Sequence, residues 1–202
     1  MNAPTVTAFA LSAAALASAQ SLERPVRSVT DPGVITTRQS ITPAGLPAIF
    51  QGKVWGVTFG KSPGELWVLT ASRLYRMDWR NNSVLANMEH NGLPGLQGVS
   101  FHGRPYITAV QRGKKAALFA VKDSSLQMTG GELGSVNAGG AALGGGVAVV
   151  PLTSANKAAV VDLATGSLRG FAATGIAPFA AVVNQAGTVG GTNPASATCT
   201  QI

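Results

Sequence analysis

The sequence predicts an all-β chain, and three observations carry that prediction. Short runs of β-forming residues are punctuated by Gly, Pro, Asn and Ser, with no long amphipathic helical pattern between them. Short strings recur at a fixed spacing. Gly56-Val57-Thr58-Phe59 returns 42 positions later as Gly98-Val99-Ser100-Phe101, and Ser83-Val84 returns at the same step as Ser125-Leu126 and again as Ser167-Leu168. Leu93-Pro94 precedes Ala177-Pro178 by 84 positions, two periods. Finally, the first two strands of each unit are nearly continuously apolar and the last is polar. Four short strands in about 42 residues is the spacing of a β-propeller blade. Blades pack face to face, so their strands are apolar on both sides near the centre and polar at the rim. A β-sandwich also uses many short strands but demands no fixed period. The fold class expected is therefore all-β, with four-stranded β-propeller blades in an incomplete ring of about three to four blades.

The elements follow in order. Thr5 to Ala19 is small or apolar, carries no charge and ends in Ala17-Ser18-Ala19, the small-x-small pattern of a signal peptidase site. Residues 1–19 are expected to be a signal peptide lacking a basic n-region, so that the exported chain starts at Gln20. The apolar stretch is too short to span a bilayer, which takes about 20 residues, and no later segment reaches that length. Residues 20–53 are an N-terminal strand segment, a candidate for closing the ring.

The first blade, 54–95, is expected to have strands Val54–Phe59, Glu65–Thr70, Arg73–Trp79 and Ser83–Glu89. Gly60-Lys61-Ser62-Pro63-Gly64 and Asn81-Asn82 turn the chain between them. Asn91-Gly92-Leu93-Pro94-Gly95 leads into the second blade, 96–138, with strands Gly98–Phe101, Pro105–Val110, Ala116–Lys122 and Ser125–Met128. The third, 139–179, opens weakly at Gly139-Gly140-Ala141-Ala142-Leu143 and continues with Val147–Leu152, Lys157–Asp162 and Ser167–Phe171. A partial fourth, 180–189, is followed by an expected irregular tail at 190–202, where Gly190-Gly191-Thr192-Asn193-Pro194 reads as a break. From Val54 onward the chain holds about three and a half periods, whereas a closed ring takes at least four blades. A truncated open reading frame is the expected reason.

Composition excludes several classes. Of 202 residues, 46% are hydrophobic and 11% charged, against about 25% charged in an average domain. The 25 Gly and 11 Pro do not recur every third residue and fall short of low complexity. Cys199 is the single cysteine, which excludes an internal disulfide and a thiolate zinc cage. The net charge of +7 is mostly scattered. Its one cluster, Arg112-Gly113-Lys114-Lys115, sits before a strand and reads as a solvated loop tip. No specific nucleic-acid signature accompanies it.

The residues resemble the YVTN-type β-propeller repeat family, a WD40-like architecture. Ser62-Pro63-Gly64 is similar to the family's turn before the second strand, lacking its acidic residue. Val160-Val161-Asp162-Leu163-Ala164-Thr165-Gly166 resembles its turn before the outer strand, and Gly175-Ile176-Ala177-Pro178-Phe179-Ala180 its opening into a new blade. Upstream, Val29-Thr30-Asp31-Pro32-Gly33-Val34-Ile35-Thr36-Thr37-Arg38-Gln39 and Ile41-Thr42-Pro43-Ala44-Gly45 resemble the mature N-terminus of secreted bacterial proteins that join a propeller to an alkaline-phosphatase-like phosphoesterase domain. That resemblance implies an outer strand of the ring-closing blade here and a hydrolase domain downstream. No part of this chain matches the hydrolase domain, so no catalytic or metal residue carries over.

Candidate chemistry is sparse. His90 and His102 fall in loops or at strand ends, where a metal ligand or general base competes with an exposed loop histidine. Glu65, Asp78, Asp123, Glu132 and Asp162 occur singly, and Asp78 and Asp162 share a repeat position, which points to turn-holding. The glycine run 139–146 is followed by no Lys-Ser/Thr and is not a phosphate loop. Trp55, Trp67 and Trp79 are expected to fill blade interfaces. No catalytic, metal or cofactor site is assigned, and no cofactor is expected. The expected function is an exported, non-catalytic scaffold or binding segment. Its partner would be an unknown protein or small molecule at a propeller face, or a downstream phosphoesterase domain. One alternative is a lactonase- or dehydrogenase-like propeller enzyme with a central-channel site, where Lys53, Lys61, His102 and Arg104 would stand without an acidic cluster. The other is a basic module that binds anions or nucleic acid.

Overall fold

The computed structural model describes residues 26–27, 48–111 and 115–201. The expected signal peptide, residues 28–47 of the candidate ring-closing segment and Arg112–Lys114 of the basic cluster lie outside them. The upstream strands β1 (Val26–Arg27) and β2 (Ala48–Ile49) pair only with each other, antiparallel.

The first four-stranded sheet contains β3 (Val54–Phe59), β4 (Glu65–Thr70), β5 (Arg73–Asp78) and β6 (Ser83–Glu89), side by side in chain order. The second contains β7 (Gly92–His102), β8 (Arg104–Gln111), β9 (Ala116–Lys122) and β10 (Ser125–Glu132). The third contains β11 (Ala142–Gly144), β12 (Val147–Leu152), β13 (Lys157–Asp162) and β14 (Leu168–Ala173). The fourth has three strands, β15 (Ala180–Val183), β16 (Val189–Asn193) and β17 (Thr198–Gln201). All pairings are antiparallel. The first strands stack in succession, β3 against β7, β7 against β11 and β11 against β15, while β15 makes no comparable contact with β3. The sheets therefore follow one another as blades of an open arc.

Three cores separate the four blades. Trp67, Leu69, Leu74 and Met88 of the first meet Val99 and Ile107 of the second. Tyr106, Leu118 and Ala120 of the second meet Ala148, Val150 and Leu152 of the third. Val147, Val149 and Ala158 of the third meet Val189 of the fourth. A fourth core, Val68, Tyr75, Met77 and Val84, lies on the outer face of the first blade under Phe50, whose ring centroid is 5.3 Å from that of Tyr75. Alternate residues of β12 thus enter different cores, and all six are buried. This explains why the second strands read as unbroken apolar runs rather than as a period-2 pattern.

Three expectations need correction. Residues 190–202 are not an irregular tail, because β16 and β17 occupy most of them. The Asn193-Pro194-Ala195-Ser196-Ala197 stretch repeats the device between β12 and β13. Each is a short 3-10 turn closed by a left-handed residue, Asn156 (φ 50°) or Ala197 (φ 50°). Gly92, Leu93 and Pro94 are not a free connector but pair with Gln111, Val110 and Ala109, so β7 is long and broken by a bulge before Val99. Proline, which has no N–H to donate, is tolerated at such a bulge. Trp79 is not interface filling. It lies beyond β5 in an exposed turn, where its indole N–H donates to the Pro63 carbonyl at 2.9 Å.

One glycine is dictated by packing rather than by dihedral. A Cβ at Gly139 would collide with the Phe179 carbonyl, where the third blade meets the connector to the fourth. Ile107, fully buried between the first two blades, is expected to cost about 2–5 kcal/mol when truncated to alanine. Exposed Leu93 is expected to stay within about 0.5 kcal/mol. Urea unfolding of both variants checks the pair.

Candidate functional site

The connectors leaving the first and third blades are each fastened to the turn between that blade's second and third strands. The His90 N–H donates to the Ser72 carbonyl at 2.9 Å, and the Thr174 N–H donates to the Asn156 carbonyl at 3.2 Å. Donors and acceptors are each two repeat periods apart. The third connector carries further ties: Thr153 Oγ1 donates to the Pro178 carbonyl at 2.9 Å, and the Ala177 N–H to Asn156 Oδ1 at 2.9 Å. The connectors and these turns consequently form one face of the arc.

The cleft on that face at the first connector holds about 190 Å³ and is walled by Glu89, His90, Asn91, Gln111, Phe119 and Leu126. Its walls come from two blades, so it exists only when they pack. His90 Nε2 lies 3.0 Å from the Thr70 carbonyl oxygen. A carbonyl only accepts, so Nε2 carries the proton and Nδ1 is the bare ring nitrogen. Nδ1 is buried without a partner. Burial pushes the imidazole below its ordinary 6.5, opposed by the Thr70 and Gly92 carbonyls. Arg73 lies behind this wall, on Glu89 at 2.7 Å and Asn87 at 3.0 Å. The sequence placed His90 in a loop. It did not show that the ring is half-buried, because that depends on contacts with Thr70, twenty residues earlier.

The carboxylates hold turns and strands. Asp162 accepts from the backbone N–H groups of Thr165 and Ala164 at 2.8 and 2.9 Å and is gripped by the Arg169 guanidinium. The Thr165 N–H and Arg169 bring its pKa down to about 2. Asp78, at the matching repeat position, accepts from Asn81 Nδ2 at 2.7 Å and from the N–H groups of Arg80 and Asn81. Its pKa is lowered too, chiefly by the Asn81 side chain. Glu65 is buried beside Trp67, whose Nε1–H donates to it at 2.7 Å, and Arg76, which reaches its other oxygen at 3.2 Å.

The remaining sequence candidates do not assemble. His102 and Arg104 flank the exposed turn between β7 and β8, Lys61 lies in the turn between β3 and β4, and Lys53 covers the Trp55 ring at 4.1 Å. Lys115 immediately precedes β9, Asp123 sits in the turn between β9 and β10, and Glu132 ends β10. Gly145 and Gly146 form the two-residue hairpin turn from β11 to β12, both with positive φ. Cys199 is exposed on β17. Among the described residues, no three His, Cys, Asp or Glu side chains gather as metal ligands, and no helix is long and apolar enough to cross a membrane.

Solved structures with the same architecture supply the comparison. The β-propeller domain of Cps50 (Swd1) from Myceliophteria thermophila matches with a TM-score of 0.60 at 10% identity, over 74% of this chain and 53% of that one. The chain is built of β-propeller blades. A protein of unknown function from Bacteroides caccae matches at 0.60 and 13% identity, over 79% of this chain and 60% of that one. Hydrazine synthase from Kuenenia stuttgartiensis matches at 0.59 and 12%, over 72% and 57%. The propeller chain thus spans a little over half the length of these structures. No protein-family model and no curated protein matches it.

Two titrations follow. Asp162 has a folded pKa of about 2 against an ordinary 3.8, so the stability it contributes is present above about pH 4 and lost as pH falls toward 2. The drop in Tm between pH 4 and 2 should be shallower for Asp162→Asn than for the parent. His90 should protonate with a midpoint below 6.5, read from its ring proton shifts by NMR. A midpoint at or above 6.5 contradicts the buried, neutral ring.

Proposed function

We propose that this chain is an exported, non-catalytic β-propeller segment that presents a binding face, in the manner of the YVTN-type propellers that accompany phosphoesterase domains. The observation that carries the reading is the commitment of Asp78, Asp162 and Glu65 to structural contacts. Asp78 and Asp162 cap turns, and Glu65 braces Trp67 and Arg76. A carboxylate held low by several donors is a poor general acid or base near neutral pH. The connector face, with the cleft at His90, is where binding is expected. Loops on a rigid scaffold are the usual place for it, and this cleft is set by two packed blades. Export rests on the apolar stretch Thr5–Ala19 and the Ala17-Ser18-Ala19 site.

Expression with its own leader in a bacterial host tests both halves. The mature chain should be recovered outside the cytoplasm, beginning at Gln20. It should hydrolyse neither p-nitrophenyl phosphate nor a simple lactone above the buffer rate, with or without added zinc. Retention in the cytoplasm with Met1 in place would overturn the export half. Turnover abolished by His90→Asn would overturn the non-catalytic half.

A further inference from the structure

Where each blade passes to the next, one large aliphatic side chain stands out to solvent on the connector face. Leu93, near the start of β7, is 58% exposed, Val136 62% and Ile176 57%. Counted from Leu93, the other two lie within one residue of the positions that the 42-residue period gives. In each case the chain on both sides is tied down. Gly92 and Pro94 pair with Gln111 and Ala109. The Ala116 N–H donates to the Ser135 carbonyl at 2.6 Å, and Asn137 Nδ2 donates to Ser154 Oγ at 3.2 Å. The Gly175 N–H donates to Thr200 Oγ1 at 3.2 Å, and the Ala177 N–H is held by Asn156. Single exposed apolar side chains are ordinary. These three recur, one at each passage, on a pinned backbone, so seating a partner on them orders little further chain.

The same face carries a second row. Arg73, Lys115 and Lys157 stand 42 residues apart, each at or just before the head of its blade's third strand. Arg73 is engaged with Glu89. Lys157 reaches the Phe171 ring at 6.0 Å. Among the described residues, no carboxylate forms an ion pair with Lys115 or Lys157. Lys53, just ahead of β3, adds a further cation at this end of the blades, and Glu132, at the end of β10, a further carboxylate. The described charge of the face is therefore net positive, with its unpaired cations beside the aliphatic row.

We propose that the connector face docks an acidic amphipathic helix of a partner protein, with its apolar stripe on Leu93, Val136 and Ile176 and its carboxylates toward Lys115 and Lys157. The inference rests on the reading of the connector face as the binding face, and it names the chemistry of the partner. Charge complementarity selects an acidic partner. The blade spacing selects a helix. Face-packed sheets lie about 10 Å apart, so the aliphatic row repeats at about that step. Seven residues of α-helix rise about 10.5 Å and return to the same face. In a β-strand about 10 Å is three residues, which turns successive contacts to opposite faces. A helix of about 20 residues is about 30 Å long and reaches all three side chains.

The probe is a fluorescein-labelled peptide of about 20 residues, with leucine at helical spacing and glutamate and alanine elsewhere. Its fluorescence anisotropy is followed against the purified chain in about 0.15 M salt, which screens distant charges. Saturable binding is expected. A scrambled peptide of the same composition, and one with lysine for glutamate, should each bind roughly tenfold more weakly or worse. Leu93→Ser, Val136→Ser and Ile176→Ser together should weaken binding roughly tenfold with an unchanged far-UV spectrum, and Lys115→Glu with Lys157→Glu roughly fivefold. Lys61→Glu with Arg104→Glu, on the opposite face, should change it by less than about twofold. A parent that does not bind the acidic helix, whether its row is bare or covered by a segment of its own chain, overturns this proposal and leaves the binding-face reading standing. So does equal binding of the scrambled or the lysine peptide. Binding that is lost in Lys61→Glu with Arg104→Glu and kept in the connector-face variants overturns both.

Discussion

The second and third sheets are covered on both faces by their neighbours, and the rest of the structure depends on that packing. A four-stranded sheet with two apolar faces leaves both in water when it stands alone. Stacking sheets face to face solves the problem by making each blade the cover of the next. The solution is clearest in β12, whose six residues are all buried and of which five, Val147 to Val150 and Leu152, enter two cores in alternation. It accounts for the 11% charged content, since interior blades have little surface on which to place charges. It also accounts for Gly139, where connector and blade approach too closely for a Cβ.

Polar chemistry is arranged around this packing. The carboxylates Asp78 and Asp162 receive backbone N–H groups at equivalent turns, two periods apart, and Asp162 adds a guanidinium partner. On the opposite side of the arc, the connectors are tied to the turns after the second strands, by His90 to Ser72 and by Thr174 to Asn156. These bonds fix the connectors without regular secondary structure. The cleft beside His90 is a consequence of that fastening, since its walls come from two blades.

Much of the fold was legible in the sequence, and the reason is the repeat. In the first blade β3, β4 and β6 span the expected residues and β5 ends one residue early, because apolar runs and turn residues alternate there without conflict. The misreadings share a cause: turn-forming residues used inside strands. Gly190 and Gly191 read as a break, yet they pair with Val182 and Ala181 within the fourth blade. Pro94 reads as connector, yet it pairs across a bulge. Aligning Asn193–Thr198 on Leu152–Lys157 was the signal for β17, since both stretches make a 3-10 turn with a left-handed close. At the site, the turn roles of Asp78 and Asp162 were readable from their shared repeat position. The burial of His90 was not, because it is a property of the packed joint between blades.

The central claim is that stability resides in strands covered on both faces, and native-state hydrogen exchange followed by mass spectrometry tests it most directly. Peptides from β4, β8 and β12 should exchange slowest, with the outer strands β6, β10 and β14 exchanging well before them. Equal protection across inner and outer strands, or fastest exchange in β8 and β12, would contradict the face-to-face arrangement on which this account rests.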